Sequence, residues 1–192
     1  MSTALVVMAC ATTKPTAEWQ DEGFSGSFGN LLVIGASDRP TTRRLFEDTF
    51  VQELAAIKVS AISSYKVMSQ DQIVSRETVE AAIAGLDVDS VLVTRLLGIE
   101  EGVRYHPPTY YTHYSAYPSY YTRALDYSSP GYYTNYKILK IETNLYDIAT
   151  QKLVWSMQSE NIDPSTPQKI IEEQISLTIK ALGWRGLISV KP

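Results

Sequence analysis

The apolar positions of this chain fall into short runs whose spacing switches between strand and helix periods. Leu31-Leu32-Val33-Ile34 is compact enough for a buried strand, and Gly35-Ala36-Ser37-Asp38 turns the chain out of it. Phe46, Phe50, Leu54 and Ile57 then recur along one helical face, and Pro40 suits the first turn of that helix. Arg43, Arg44, Glu47, Asp48 and Glu53 fill the remainder and read as a solvated face. Residues 59–63 predict a second strand. Ser75 can cap a second helix with Val79, Ile83 and Leu86 inward and Gly85 near its end. Val91-Leu92-Val93 opens a third strand extending towards Ile99.

Further on, Leu139, Ile141, Thr143 and Leu145 alternate with Lys140, Glu142, Asn144 and Tyr146, a period of two that marks a strand with one covered face. Residues 147–152 predict a turn, and Leu153, Trp155 and Met157 the return strand. Asp163-Pro164-Ser165-Thr166-Pro167 starts a last helix with Ile171, Ile175, Ile179 and Leu182 inward and Gly183 at its C-cap. The order is β-α-β-α-β-β-β-α. Two βα units require right-handed parallel crossovers. The expected fold is α/β (α+β), a mixed five-stranded sheet with helices packed on it.

Between the third and fourth strands the periodicity stops. Eleven of the 13 tyrosines lie between Tyr105 and Tyr136. They form a repeat: Pro108-Thr109-Tyr110-Tyr111-Thr112, Pro118-Ser119-Tyr120-Tyr121-Thr122 and Pro130-Gly131-Tyr132-Tyr133-Thr134. The prolines oppose an unbroken central ladder, so the insertion, residues 104–135, is expected to project as a loop or irregular hairpin. Tyrosine offers large contact area with few rotors and a hydroxyl that seeks a partner. Tyr110, Tyr111, Tyr114, Tyr117, Tyr120, Tyr121, Tyr132 and Tyr133 are therefore the candidate partner-binding residues. A protein, a second copy or a glycan would suit them. The alternative is a low-complexity segment draped over its own sheet.

Cys10, the single cysteine, closes the apolar run Leu5-Val6-Val7-Met8-Ala9. That is the pattern at which bacterial signal peptides are cut and the new terminal cysteine is lipidated. A secretory signal carries a basic segment and an apolar stretch of roughly 7–15 residues. Only nine residues precede Cys10, none of them Lys or Arg. Residues 1–9 thus read as the remnant of a signal peptide, residues 10–29 as lipidated cysteine and flexible tether, and residues 30–192 as one domain. Ala11 in place of Asp favours the outer membrane, facing the periplasm. The competing reading makes Cys10 an ordinary buried residue of a cytosolic chain.

Composition bounds the partners. The chain has 192 residues, net charge −4 and only Arg43-Arg44 as adjacent basic residues. Without a basic stripe nucleic acid is a poor partner. No stretch approaches the roughly 20 apolar residues that span a bilayer, so membrane attachment falls to the lipid.

These features resemble small bacterial envelope lipoproteins with a TolB N-terminal or CsgG-like α/β domain. The similar pieces are Val7-Met8-Ala9-Cys10, Leu32-Val33-Ile34-Gly35, residues 85–93 and residues 146–155. The resemblance implies a periplasm-facing binding or assembly accessory and brings no catalytic residues with it.

Chemistry has few candidates. His106 and His113 share the insertion with Asp126, too few ligands for a held zinc. Gly35-Ala36-Ser37-Asp38-Arg39 sits where a helix N-terminus can hold an anion, but it matches no phosphate loop, and Asp38 would repel phosphate. Capping is its expected role. Gly23, Gly26 and Gly29 precede the first strand, so a dinucleotide site fails on context. No catalytic motif, cofactor or metal is expected. The alternative function is a soluble small-ligand binder or hydrolase-like enzyme using residues 35–39 with the loop histidines.

Overall fold

The computed structural model describes residues 13–69, 75–107, 109–110, 128–129, 131–163 and 166–189. Its strands are β1 (Thr13–Gln20), β2 (Asn30–Ala36), β3 (Ser60–Ser63), β4 (Ser90–His106), β5 (Thr109–Tyr110), β6 (Ser128–Ser129), β7 (Tyr132–Asp147) and β8 (Leu153–Ile162). The helices are α1 (Pro40–Ala56), α2 (Arg76–Ile83) and α3 (Pro167–Trp184). One six-stranded sheet runs in the order β1-β8-β7-β4-β2-β3. β2 is parallel to β3 and β4, and every other neighbour is antiparallel. The mixed α/β class holds, with six strands rather than five.

The additional strand comes from the segment read as tether. β1 pairs antiparallel with β8 and is tied down at both ends. Thr13 donates through its hydroxyl to Glu173 of α3 at 2.8 Å and accepts from Asn161 Nδ2 at 2.6 Å. Glu18 accepts from Trp155 Nε1 at 2.8 Å and from both Arg185 Nε and a terminal guanidinium nitrogen, at 3.0 and 2.8 Å. Polar residues read as tether because β1 is an edge strand whose side chains are mostly exposed.

The Arg185 hydrogen bonds hold the Glu18 carboxyl below its ordinary value of 4.5, against burial, with Trp155 helping. A lowered folded value means that this stabilisation is present above about pH 4.5 and fades as pH falls through it. Glu18→Gln should cost about 1 kcal/mol at pH 7. The gap in thermal midpoint between the two proteins should narrow as pH falls below 4.5; a gap independent of pH would refute the assignment.

β2 is buried on both faces. Leu31 and Val33 pack with Phe50 and Leu54 of α1, Trp155 of β8, and Ile175 and Leu182 of α3. Leu32 and Ile34 meet Ile83 of α2 and Val91 in a smaller cluster on the other face. Ser75 closes a capping box on α2, and Gly85 follows that helix at φ 81°. α3 runs through Gly183 to Trp184, so the left-handed residue is Gly186, at φ 70°, rather than Gly183.

The face of α1 expected to be solvated is so at Arg44, Asp48 and Glu53, but not at two other residues. Arg43 and Glu47 are buried and ion-paired at 2.9 Å. Glu47 also accepts from Gly35 N–H at 2.9 Å, the Ser64 hydroxyl at 2.6 Å and Tyr65 N–H at 2.9 Å. One carboxylate thus joins the end of β2, helix α1 and the turn after β3. Gly35 permits the approach, because a Cβ there would lie 3.0 Å from the Phe46 ring.

Candidate functional site

The third strand does not stop near Ile99. β4 and β7 remain paired from Ser90↔Asp147 to His106↔Tyr132, with one bulge at Leu97. β5 and β6 continue the line through Thr109↔Ser129 and Tyr110↔Ser128. β2 leaves β4 at Arg95, and β8 leaves β7 at Ile138. Beyond those rows the two strands run on as a ribbon. From Arg95 to His106 it covers about 36 Å at ~3.3 Å per residue. The insertion is therefore the outer part of one long hairpin, not a loop that begins at residue 104.

Alternation sorts the ribbon into two faces. Thr143 meets Gln174 of α3, so Ile141, Leu139 and Tyr133 share the α3 side, as do their opposites Leu96, Ile99 and Tyr105. On this side Ile99, Val103 and Tyr133 are 55%, 64% and 72% exposed. The Tyr105 and Tyr133 rings meet at 4.9 Å. Glu101 and Lys137 interrupt the stripe with an ion pair at 3.0 Å.

The opposite face is polar. His106 stacks on Tyr132 at 4.6 Å, with Nε2 3.0 Å from the Thr134 hydroxyl. The Arg104 guanidinium lies 5.2 Å above the Tyr136 ring, and Gly102 makes room for that ring, since a Cβ would overlap it. Lys140 donates to Glu100 at 2.6 Å, and that bond holds its ammonium above the usual value. Nearer the domain, Glu142 takes hydrogen bonds from Arg95, Gln158 and Asn144. They outweigh the upward push of burial and keep its carboxyl low. A hollow of about 490 Å³ opens beside Glu101, Tyr136 and Asp163, where β8 ends.

A second concavity, about 550 Å³, lies between the starts of α1 and α3, at the C-terminal end of β2 and beside residues 94–99 in the middle of β4. Ser37, Arg39 and Thr42 form its rim, and Phe46, Leu96 and Ile170 belong to its apolar wall. Open α/β sheets bind ligands at this position. Asp38 does not cap α1: the N-cap is Arg39, without a side-chain bond, and Ser37 Oγ accepts the Arg39 N–H at 3.2 Å. His106, which the alternative reading folds over this mouth, is not brought to it. His106 sits eleven residues out along β4 from Arg95, and His113 lies outside the described residues.

Tyr132 and Tyr133 are placed on opposite faces of the ribbon, both exposed. Tyr110 contributes backbone to the short β5–β6 pair. Tyr111, Tyr114, Tyr117, Tyr120, Tyr121, Asp126 and Cys10 lie outside the described residues. Among the described residues no group of three or more His, Cys, Asp or Glu could hold a metal ion, and no helix is long and apolar enough to cross a membrane. Ile99 and Val103 were missed as surface residues. Their alternation with Gly98, Glu100, Gly102 and Arg104 was the available signal.

No protein-family model matches the chain, and no curated protein matches it. Solved structures align with the chain at low identity. A PelC variant dodecamer from Paraburkholderia phytofirmans aligns at TM-score 0.48 and 12% identity, over 93% of this chain and 100% of that one. Lipoprotein GNA1162 from Neisseria meningitidis aligns at 0.40 and 12%, over 81% and 98%. A PDZ domain protein from Parabacteroides distasonis aligns at 0.40 and 9%, over 94% and 37%.

Proposed function

We propose that this chain is a lipid-anchored envelope protein that acts by binding, with the β4–β7 ribbon as its docking arm. The observation that carries the reading is the exposed aliphatic and aromatic stripe through Ile99, Val103, Tyr105 and Tyr133. The domain core is complete without it, so this stripe is free to be covered by something else.

The register supports a membrane-proximal partner. Thr13 pairs with Asn161, Asn161 with Leu139, and Leu139 with Ile99. One row across the sheet thus joins the start of β1 to the base of the arm. A lipid on Cys10, three residues before Thr13, lies at the arm end of the domain. The finer placement among TolB N-terminal or CsgG-like domains, and the outer-membrane, periplasm-facing location, belong to this proposal.

Two substitutions test it separately. Cys10→Ser should move the protein from the membrane fraction to the soluble fraction, and mass spectrometry of the wild-type N-terminus should show an acylated cysteine. An unmodified Met1 or Ser2 would end the anchor reading. Val103→Asp with Tyr133→Asp should leave unfolding within about 0.5 kcal/mol of wild type, as exposed changes do. The same pair should abolish cross-linking of the arm to envelope components; unchanged cross-linking would remove the arm from the account.

The cleft between α1 and α3 supports a second reading, a small apolar ligand held beside Arg39. Leu96→Glu should expel such a ligand, detectable as lost fluorescence of a bound apolar dye.

A further inference from the structure

We infer that the outer edge of the arm is a self-pairing surface, and that two copies of this chain join antiparallel along β4, centred on Gly102. β2 pairs with β4 only as far as Arg95. Among the described residues no strand takes the outer edge of β4 from Leu96 to His106. Every second residue there leaves its backbone N–H and C=O facing outward, a template for another strand.

A free edge bearing charges of one sign repels a second copy. This one carries both signs. Glu100 and Arg104 stand on the same face, two residues either side of Gly102, and both are exposed. A two-fold pairing of identical strands is isologous, so each contact occurs twice. Facing residues must share a face, which confines the centre to a single residue. Centring on Glu100 or Glu101 sets carboxylate against carboxylate. Centring on Gly102 sets Glu100 opposite Arg104 of the other copy, twice, and Ile99 opposite Tyr105 on the apolar face, also twice. Cross-strand charge and aliphatic–aromatic pairs are the contacts that stabilise a sheet. Gly102 adds no side chain at the axis. Glu100 keeps Lys140 beside it within its own copy, so the joined arms would carry a short alternating row of charges.

Nothing in this inference depends on the anchor or on the envelope partner. An edge pairs whether or not Cys10 is acylated, and Tyr133 of the exposed stripe stands on β7 away from that edge, while Ile99 and Tyr105 border both surfaces.

The test uses the full chain, sedimentation equilibrium over a range of concentrations, and two reversals of charge. Wild type should be a dimer. Glu100→Arg and Arg104→Glu, each alone, set like charges opposite and should raise the dimer dissociation constant about tenfold or more. An equimolar mixture of these two variants should restore a one-to-one heterodimer. The introduced arginine of one chain then faces the introduced glutamate of the other, while the unaltered Arg104 and Glu100 face each other. The double variant Glu100→Arg with Arg104→Glu should restore the homodimer. Circular dichroism establishes that each variant is folded, and the mixture reports on pairing even if one variant loses stability. A monomeric wild type overturns the inference, as does a dimer indifferent to either single substitution. Failure of the mixture and the double variant to restore pairing rejects the Gly102 register.

Discussion

Glu47→Ala is expected to lower the free energy of unfolding by about 3–5 kcal/mol, the cost of breaking one side of a buried ion pair. Four groups lose their acceptor together: the Arg43 guanidinium, the Gly35 and Tyr65 N–H groups and the Ser64 hydroxyl. Arg43 is itself buried, so its charge would be left without its carboxylate. Domains of this size are held by only about 5–15 kcal/mol, which puts the variant near the edge of folding. Urea denaturation gives the measurement, as a fall in midpoint at unchanged slope. A loss under about 1 kcal/mol would mean that water replaces the carboxylate. Glu47→Gln should fall between the two, since the amide oxygen can keep part of the network while its nitrogen cannot accept.

Removing residues 107–131 and joining His106 to Tyr132 through Asn-Gly should give a folded domain that keeps the Ile99, Val103, Tyr105 and Tyr133 stripe and binds the proposed envelope partner more weakly, having lost the tyrosines beyond it. His106 and Tyr132 face each other across the ladder, and a two-residue Asn-Gly turn fits the twist of such a pair. Shortening the connection favours the folded state by about 2 kcal/mol on loop entropy alone. A thermal midpoint within a few degrees of wild type is the expected reading. An unfolded product would show that the tyrosine segment covers the sheet, and the binding proposal would fail with it. A folded product that binds undiminished would confine the contact to Ile99, Val103, Tyr105 and Tyr133. The deletion spares the outer edge of β4, so pairing of two copies should survive it, which separates the two surfaces experimentally.

The elements legible in the sequence were those whose periodicity is paid for by burial. Phe46, Phe50 and Leu54 keep one face of α1 against the sheet, and Trp155 and Met157 sit in the core as their alternation requires. Three features escaped for different reasons. Thr13–Gln20 is an edge strand held by hydrogen bonds and ion pairs from Lys14 and Glu18 rather than by apolar area, so its residues look like tether. Arg43 and Glu47, four residues apart on a helix, have the spacing of a solvated pair. What buries them is Ser64 and the chain around Gly35, contacts that adjacent sequence does not encode. The arm escaped because tyrosines and prolines suggested an irregular loop, whereas β4 continues through a bulge that shifts its alternation by one residue at Leu97. Of the candidate site, the tyrosine pair at the hairpin was legible and the aliphatic stripe below it was not.

The anchoring of β1 at both ends shortens the leash. Two residues separate Cys10 from the bonded Thr13, and the three steps of chain between them reach about 10 Å when fully extended. The arm runs about 23 Å past that row, from Ile99 to His106, at ~3.3 Å per residue. Were Cys10 acylated as proposed, a chain with those lengths would lay its arm along the membrane surface rather than stand it upright over the lipid. Its encounters then become two-dimensional. A partner fixed in the same membrane would meet the stripe at an effective concentration set by lateral density and a leash of about 10 Å, and even a weak contact would be made and remade many times before the two proteins drift apart.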